Sequence, residues 1–294
     1  MNVDHIFFTG INVLLAWSVY VVLMTGSLSF AQGTFMAVGC YTAGVLTVKF
    51  GWPLIPATLA CAVFAATVAA VVGWPALRLR GIYLILVTIG ITFCGRVLLE
   101  NVEYIGGVAG FGGMSGATYT SVLVAVALVG GALFWLSRSP LQRTFDAVRE
   151  DDRVAASLGI NVPVVRLVGF ASGAFIAAIA GSLFGHYMSF VRPESFDVLL
   201  SVYVVLYVVL GGVNNMWGAL IGATIMTLLP EYFRVLAEWR PTVFGLAILL
   251  LLLFKPQGLL SFRTLSCRWK KPGATSTSTS TSTSTGKPCK TATS

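Results

Sequence analysis

The sequence predicts an all-α, polytopic transmembrane helix bundle, and three observations carry that prediction. Of its 294 residues, 56% are hydrophobic and only 10% are charged, whereas soluble domains hold about 25% charged residues. Uncharged runs recur at 6–48, 52–77, 81–95, 117–137, 167–191, 198–229 and 241–254. A bilayer core needs about 20 apolar residues per helix, and several runs meet that length or hold two spans joined by a turn. Strand alternation is absent, which argues against a transmembrane barrel, where every second residue faces a polar lumen.

Taken in order, the expected spans are 6–26, 33–48, 53–73, 82–98, 119–136, 167–188, 198–212, 216–229 and 241–254, about nine with a range of eight to ten. The 31 glycines fit such a bundle, because small residues let helix backbones approach where no hydrophobic effect drives packing. Pro53, Pro75, Pro140, Pro163, Pro193, Pro230, Pro241 and Pro256 stand at the edges of apolar runs and punctuate the spans. Residues 1–261 form the transmembrane unit. From 262 to 294 the chain turns into a Ser-Thr-rich, basic tail, which buries too little apolar surface to offset ordering and is expected to be disordered.

The net charge of +8 is a topology signal rather than a nucleic-acid footprint. Arg78, Arg80, Arg138, Arg143, Arg149, Arg153, Arg166 and Lys255 fall in one set of connecting segments, and Lys49, Arg192, Arg234 and Arg240 in the alternate set. Positively charged loops stay on the cytoplasmic side, so the chain is expected to run N-out/C-in. The first run lacks a basic start, carries Asp4 and is longer than a signal-peptide core; it reads as a retained helix. The five cysteines show neither metal-ligand nor redox spacing.

Every acidic side chain lies outside the expected hydrocarbon core. Ion-coupled carriers place ionisable groups at mid-membrane, so the energy for any transport is expected to come from another chain. Arg96 and Glu100, four residues apart near a span end, are expected to pair. Histidine is confined to His5 and His186, no nucleophile–base cluster is apparent, and no Gly-rich turn leads into Lys-Ser or Lys-Thr. An enzyme, and ATP hydrolysis by this chain, are therefore disfavoured. A self-sufficient secondary carrier or channel remains the rival.

The segment 137–166 is the longest charged stretch between spans. Thr144 is a candidate N-cap, Gly159 a helix stop with Pro163 just beyond, and Phe145, Val148, Ala155 and Leu158 fall on one helical face. Arg149, Glu150 and Arg153 lie mainly elsewhere. An amphipathic surface helix of this kind can dock into a groove on a partner. Further along, Gly169, Gly173, Ala177, Gly181 and Gly185 recur every four residues and form a stripe that a neighbouring backbone can approach. Ser29, Gln32, Tyr41, Asn214 and Asn215 are polar groups within or beside spans; they either line a solute path or hydrogen-bond between helices, the second being the commoner use.

Several stretches, in order, carry a family resemblance: Ser29-Phe-Ala-Gln-Gly-Thr-Phe-Met-Ala-Val-Gly-Cys-Tyr41, Leu77-Arg-Leu-Arg-Gly-Ile-Tyr83, Ala147-Val-Arg-Glu-Asp-Asp-Arg153, Ser157-Leu-Gly-Ile-Asn-Val162, Pro193-Glu-Ser-Phe196, Val209-Leu-Gly-Gly-Val-Asn-Asn-Met-Trp-Gly218 and Phe254-Lys-Pro-Gln-Gly-Leu-Leu260. From about 29 to 261 the chain resembles the LivM-type branched-chain amino acid ABC transporter permeases. The resemblance implies a multi-pass protein of a bacterial inner membrane, a second LivH-like permease, two cytoplasmic ATPase subunits and a periplasmic solute-binding protein. It also implies that ATP is used by those partners, with no cofactor bound by this chain. Arg143, Phe145, Asp146, Val148, Arg149, Glu150, Asp151, Asp152, Arg153, Leu158 and Gly159 would then form the ATPase-coupling loop. Branched-chain amino acids are the expected cargo, with urea or amides as alternatives.

Overall fold

A computed structural model describes residues 3–79, 81–213 and 215–232, together with Gly245. Its helices are α1 (Val3–Met24), α2 (Gln32–Val48), α3 (Leu54–Ala76), α4 (Ile82–Asn101), α5 (Tyr119–Arg138), α6 (Pro140–Glu150), α7 (Asp152–Ser157), α8 (Val162–Met188), α9 (Val198–Gly211) and α10 (Met216–Tyr232). All but α6 and α7 coincide with an expected span. The span expected at 241–254 and the tail at 262–294 lie outside the described residues. Among the described residues, six stretches are long and apolar enough to cross a bilayer, namely 4–24, 54–76, 82–101, 119–138, 162–188 and 193–211. The chain is a helical membrane bundle.

Local chemistry sets the helix starts. Pro140, Pro163 and Pro193 all fall in the first turn of a helix or 3-10 turn, where the missing N–H has no intrahelical acceptor to lose. Asn161 caps α8 by accepting from the Val164 N–H, and Asp197 caps α9 by accepting from the Val198 N–H at 2.7 Å. Thr118 and Ser121 form a reciprocal capping box on α5.

Helix α8 is the hub, packed against α1, α2 and α3. Its glycine stripe makes this possible. A side chain at Gly169 would strike Thr25, and one at Gly173 would meet Val22 Cγ2 at 2.6 Å and the Ser18 carbonyl at 2.7 Å. Farther along, one at Gly181 would collide with the Met36 carbonyl and one at Gly185 with Cys40 Sγ at 2.5 Å. The first half of the stripe therefore seats the end of α1 and the second half seats α2, with backbone against backbone at Gly181 and small side chains filling the approach at Gly169 and Gly185. With 27 residues at 1.5 Å each, α8 is about 40 Å long, roughly 10 Å more than a hydrocarbon core.

Connections sort to two ends of the bundle. At one end, Lys49 Nζ donates to the Tyr104 carbonyl at 2.6 Å and lies 3.1 Å from that ring's centroid. There the Gly-rich loop after α4 also forms strand β1 (Phe111–Gly112), antiparallel to β2 (Phe190–Val191) just after α8. The opposite end holds the α1–α2 turn and the segment with α6 and α7, where Gly26 faces the Arg149 backbone. Ile55, Leu59 and Val63 on α3, Leu86 and Phe93 on α4, and Leu128 and Trp135 on α5 are exposed. Large apolar side chains on an outer surface, with small residues inside, reverse the soluble pattern and suit a lipid solvent.

Candidate functional site

Two places concentrate polar side chains: the interior around the start of α2, and the segment between α5 and α8. In the interior, α1 ends at Met24 and α2 begins only at Gln32. The intervening backbone is folded back into the protein rather than left at the surface. Gln32 lies beside Ser18, six residues before the end of α1, so α2 starts about 9 Å inside that end of the bundle. Non-helical backbone in a membrane protein must find partners within the protein, and at Phe30, Ala31 and Gly33 side-chain hydroxyls supply them. Phe30 donates its N–H to Thr88 Oγ1 at 3.1 Å, while its carbonyl accepts from the Thr92 hydroxyl at 2.9 Å. Ser29 Oγ accepts from the Ala31 N–H, and Ser201 Oγ on α9 accepts from the Gly33 N–H at 2.9 Å.

Four of the five polar residues singled out above have a place in the structure. Ser29 closes the turn before α2. Gln32 accepts from the Ser18 hydroxyl at 3.2 Å, and its buried Nε2 has no partner. Tyr41 is buried against Phe111 and Phe196, with its hydroxyl 3.4 Å from the Val191 carbonyl it faces. Asn215 offers its carbonyl to the Gly218 and Ala219 N–H groups at the start of α10, and Asn214 lies outside the described residues. Gly169, Gly173, Gly181 and Gly185 are all buried within this chain. Thr88, Thr92 and Ser201 stood out by no pattern in the sequence, since a lone hydroxyl in an apolar run gives no clue to what it will meet.

The segment between α5 and α8 departs from the expected single helix. Ser139, not Thr144, is the N-cap of α6, its Oγ accepting from the Leu141 N–H; Thr144 instead donates to the Pro140 carbonyl. The helix breaks at Asp151, whose Oδ1 accepts from the Arg153 and Val154 N–H groups at 2.8 and 3.4 Å and so opens α7. A short carboxylate competes with the helical backbone for those donors. The break also rotates the two halves. Phe145, Val148 and Ala155 are buried in this chain at 3, 1 and 1% exposure, while Leu158 points outward at 73%. The four residues therefore do not share a face, and the first three are covered by the bundle itself.

What this segment leaves exposed is Leu141, Val154 and Leu158 beside Arg143, Glu150, Asp151 and Arg153. Asp146 accepts from Gln142 at 3.2 Å. Partial desolvation holds its carboxyl above the ordinary range, against the pull of the Gln142 hydrogen bond and of Arg149, with Glu150 adding to the rise. Asp152 and Arg166 form the strongest contact here: Arg166 Nη2 donates to both carboxylate oxygens at 2.8 and 2.6 Å. A cavity of about 310 Å³ opens between Gly26, Val148 to Arg153, and Arg166. Gly159 sits in the left-handed region at φ +83° with nothing near a Cβ. Gly159→Ala should therefore cost about 1–2 kcal/mol from backbone strain alone, readable as a lowered melting temperature of the detergent-solubilised chain. Among the described residues, no three His, Cys, Asp or Glu side chains converge as metal ligands.

Comparison with known proteins gives one direction. Residues 2–255 match the family described as branched-chain amino acid transport system / permease component. The high-affinity branched-chain amino acid transport system permease protein LivM of Escherichia coli K12 is 32% identical, over 88% of this chain and 70% of that protein. The corresponding LivH of the same organism is 32% identical over 42% of this chain and 40% of its own. The autoinducer 2 import system permease protein LsrC of Klebsiella pneumoniae is 31% identical over 44% and 39%. No solved structure matches.

Proposed function

We propose, since this chain belongs to the family of branched-chain amino acid transport permeases, that it is the membrane-spanning subunit of an ABC importer and carries branched-chain amino acids or related small polar solutes across a bacterial inner membrane. The observation that supports this most is the 32% identity to LivM along 88% of the chain. In this reading a LivH-like second permease completes the path, two cytoplasmic ATPase subunits supply the energy, and a periplasmic binding protein delivers the solute. The chain holds no cofactor and performs no catalysis. The bias of Lys and Arg between alternate connections orients it N-out/C-in, which puts α6 and α7 in the cytoplasm against the ATPases.

The likeness to an autoinducer 2 permease favours a second cargo reading, a small polar solute other than an amino acid; urea or an amide is the alternative raised from the sequence. The test is uptake into proteoliposomes holding this chain with its partner permease, ATPases and binding protein, supplied with labelled leucine or urea. Leucine uptake that requires internal ATP supports the proposal. Uptake by this chain alone without ATP overturns it in favour of a self-sufficient carrier. Orientation has its own readout: a cysteine replacing Ser157 should react with a membrane-impermeant maleimide only in inside-out vesicles.

A further inference from the structure

Because α6 and α7 contact the bundle on several sides, the route by which force on them reaches a transport helix is a structural question. The junction of α7 with α8 is tied three times. Gly159, in its left-handed conformation, and the Asn161 cap turn the chain in a tight corner. Val148 from α6, Ala155 from α7 and Val162 from α8 are buried together in one apolar cluster, with Ile160 and Val165 packed on it. Across the corner, Arg166 Nη2 holds both oxygens of Asp152 at 2.8 and 2.6 Å, with the side chains only 12 and 19% exposed. A half-buried pair that engages both carboxylate oxygens resists separation more than a fully exposed ion pair does.

The junction of α5 with α6 is different in kind. A single extended residue, Ser139, at φ −79° and ψ 153°, separates the two helices. Arg138, the last residue of α5, turns back over the Phe134 ring of its own helix at 4.4 Å. Pro140 confines Ser139 to the extended region, and its N–H bonds the Leu136 carbonyl while its Oγ caps α6, so the junction can swing within that region without breaking a helix. The far side of α8 is suited to movement as well. Gly181 meets only Met36 backbone and Gly173 the Ser18 carbonyl beside Val22 Cγ2, while Gly169 and Gly185 receive the side chains of Thr25 and Cys40; with no side chain on the α8 side of these contacts, a limited shear needs little unpacking.

We infer that α6, α7 and α8 move as one lever hinged at Ser139, with Asp152 and Arg166 as the positioning residues that lock the coupling segment to α8. The inference rests on the permease reading above and adds the route of the force: it enters α8, and through the glycine stripe acts on α1 and α2, while α5 stays behind. Arg166 and Asp152 touch no solute in this scheme.

The test uses the complete reconstituted transporter with spin labels on a background freed of native cysteines, at Ser157 with Met188 at the far end of α8, and at Ser157 with Leu128 on α5. Distances are read by pulsed electron resonance without nucleotide and with a non-hydrolysable ATP analogue. The Ser157–Met188 distance should stay fixed while Ser157–Leu128 shifts. A change in the first distance, or none in the second, overturns the lever. In a second arm, Asp152→Asn should lower uptake about tenfold, the size of an ordinary coupling term, with ATP hydrolysis retained within about twofold. The exchange Asp152→Arg with Arg166→Asp should restore uptake. Uptake undiminished in Asp152→Asn, or a loss that the exchange does not repair, also overturns it. A wild-type transporter that shows no ATP-dependent uptake would instead remove the permease reading itself.

Discussion

Leucine at Gly181 should remove most of the folded chain: after detergent extraction and mild heating, the monodisperse peak seen for the wild type on size exclusion should be largely lost. The reason is what stands opposite. A Cβ at Gly181 collides with the Met36 carbonyl oxygen, and the nearest atoms behind it are also Met36 backbone. A side chain would have to push the whole of α2 away, and α2 is held by the polar contacts at its start and by Tyr41 above. Overpacking usually costs about 1–3 kcal/mol, and a clash that no rotamer can relieve belongs at or beyond the top of that range. Stabilities of about 5–15 kcal/mol leave little room for it. Gly185→Ala should be milder, because it meets the movable ends of Cys40 and Met114. Gly131→Ala, on the exposed side of α5 with nothing within 4 Å, should be neutral or should stabilise by the helix-propensity gain of about 1 kcal/mol. Equal melting of the Gly181→Leu and Gly131→Ala chains would contradict the backbone-on-backbone seat.

Eight of the expected spans and the glycine stripe were legible in the sequence for the same reason: both are composition repeated at a spacing. A run of 20 uncharged residues needs no partner to be recognised, and a glycine every fourth residue marks a close approach wherever the neighbour comes from. The partner is what stayed hidden. Nothing in the spacing of Gly169 to Gly185 says that α1 occupies one half and α2 the other. The pairing of Arg96 with Glu100, observed at 2.8 Å, was legible because it is local; the additional approach of Asp197 at 3.5 Å was not. Arg166 counted in the sequence only as one positive charge among several, because its carboxylate partner lies fourteen residues earlier and across a corner. The break at Asp151 carries a readable signal, an acidic side chain two and three residues ahead of the N–H groups it caps, but one continuous helix through the segment puts Leu158 on the face of Phe145 and hides it. That one break turns Leu158 away from the buried Phe145, Val148 and Ala155.

The exposed side of the segment yields the sharpest functional prediction. Phe145→Ala and Leu158→Glu should fail differently. Phe145 is 3% exposed and belongs to the main core; truncating a buried aromatic costs about 3–5 kcal/mol, so the Phe145→Ala chain should be lost from the membrane before transport can be assayed. Leu158 touches solvent over most of its surface, and exposed substitutions ordinarily change stability by no more than about 0.5 kcal/mol. The Leu158→Glu chain should therefore accumulate and melt like the wild type. If Leu158, Val154 and Leu141 are the apolar contacts offered to an ATPase, a carboxylate among them must be desolvated on docking, and anchors of this kind cost at least about 2 kcal/mol when lost. That is roughly a 30-fold weaker association, readable as ATPase subunits lost on co-purification and as failed ATP-dependent uptake. Normal co-purification with Leu158→Glu, together with loss of the ATPases from a Phe145 variant that still folds, would return the docking role to the buried face.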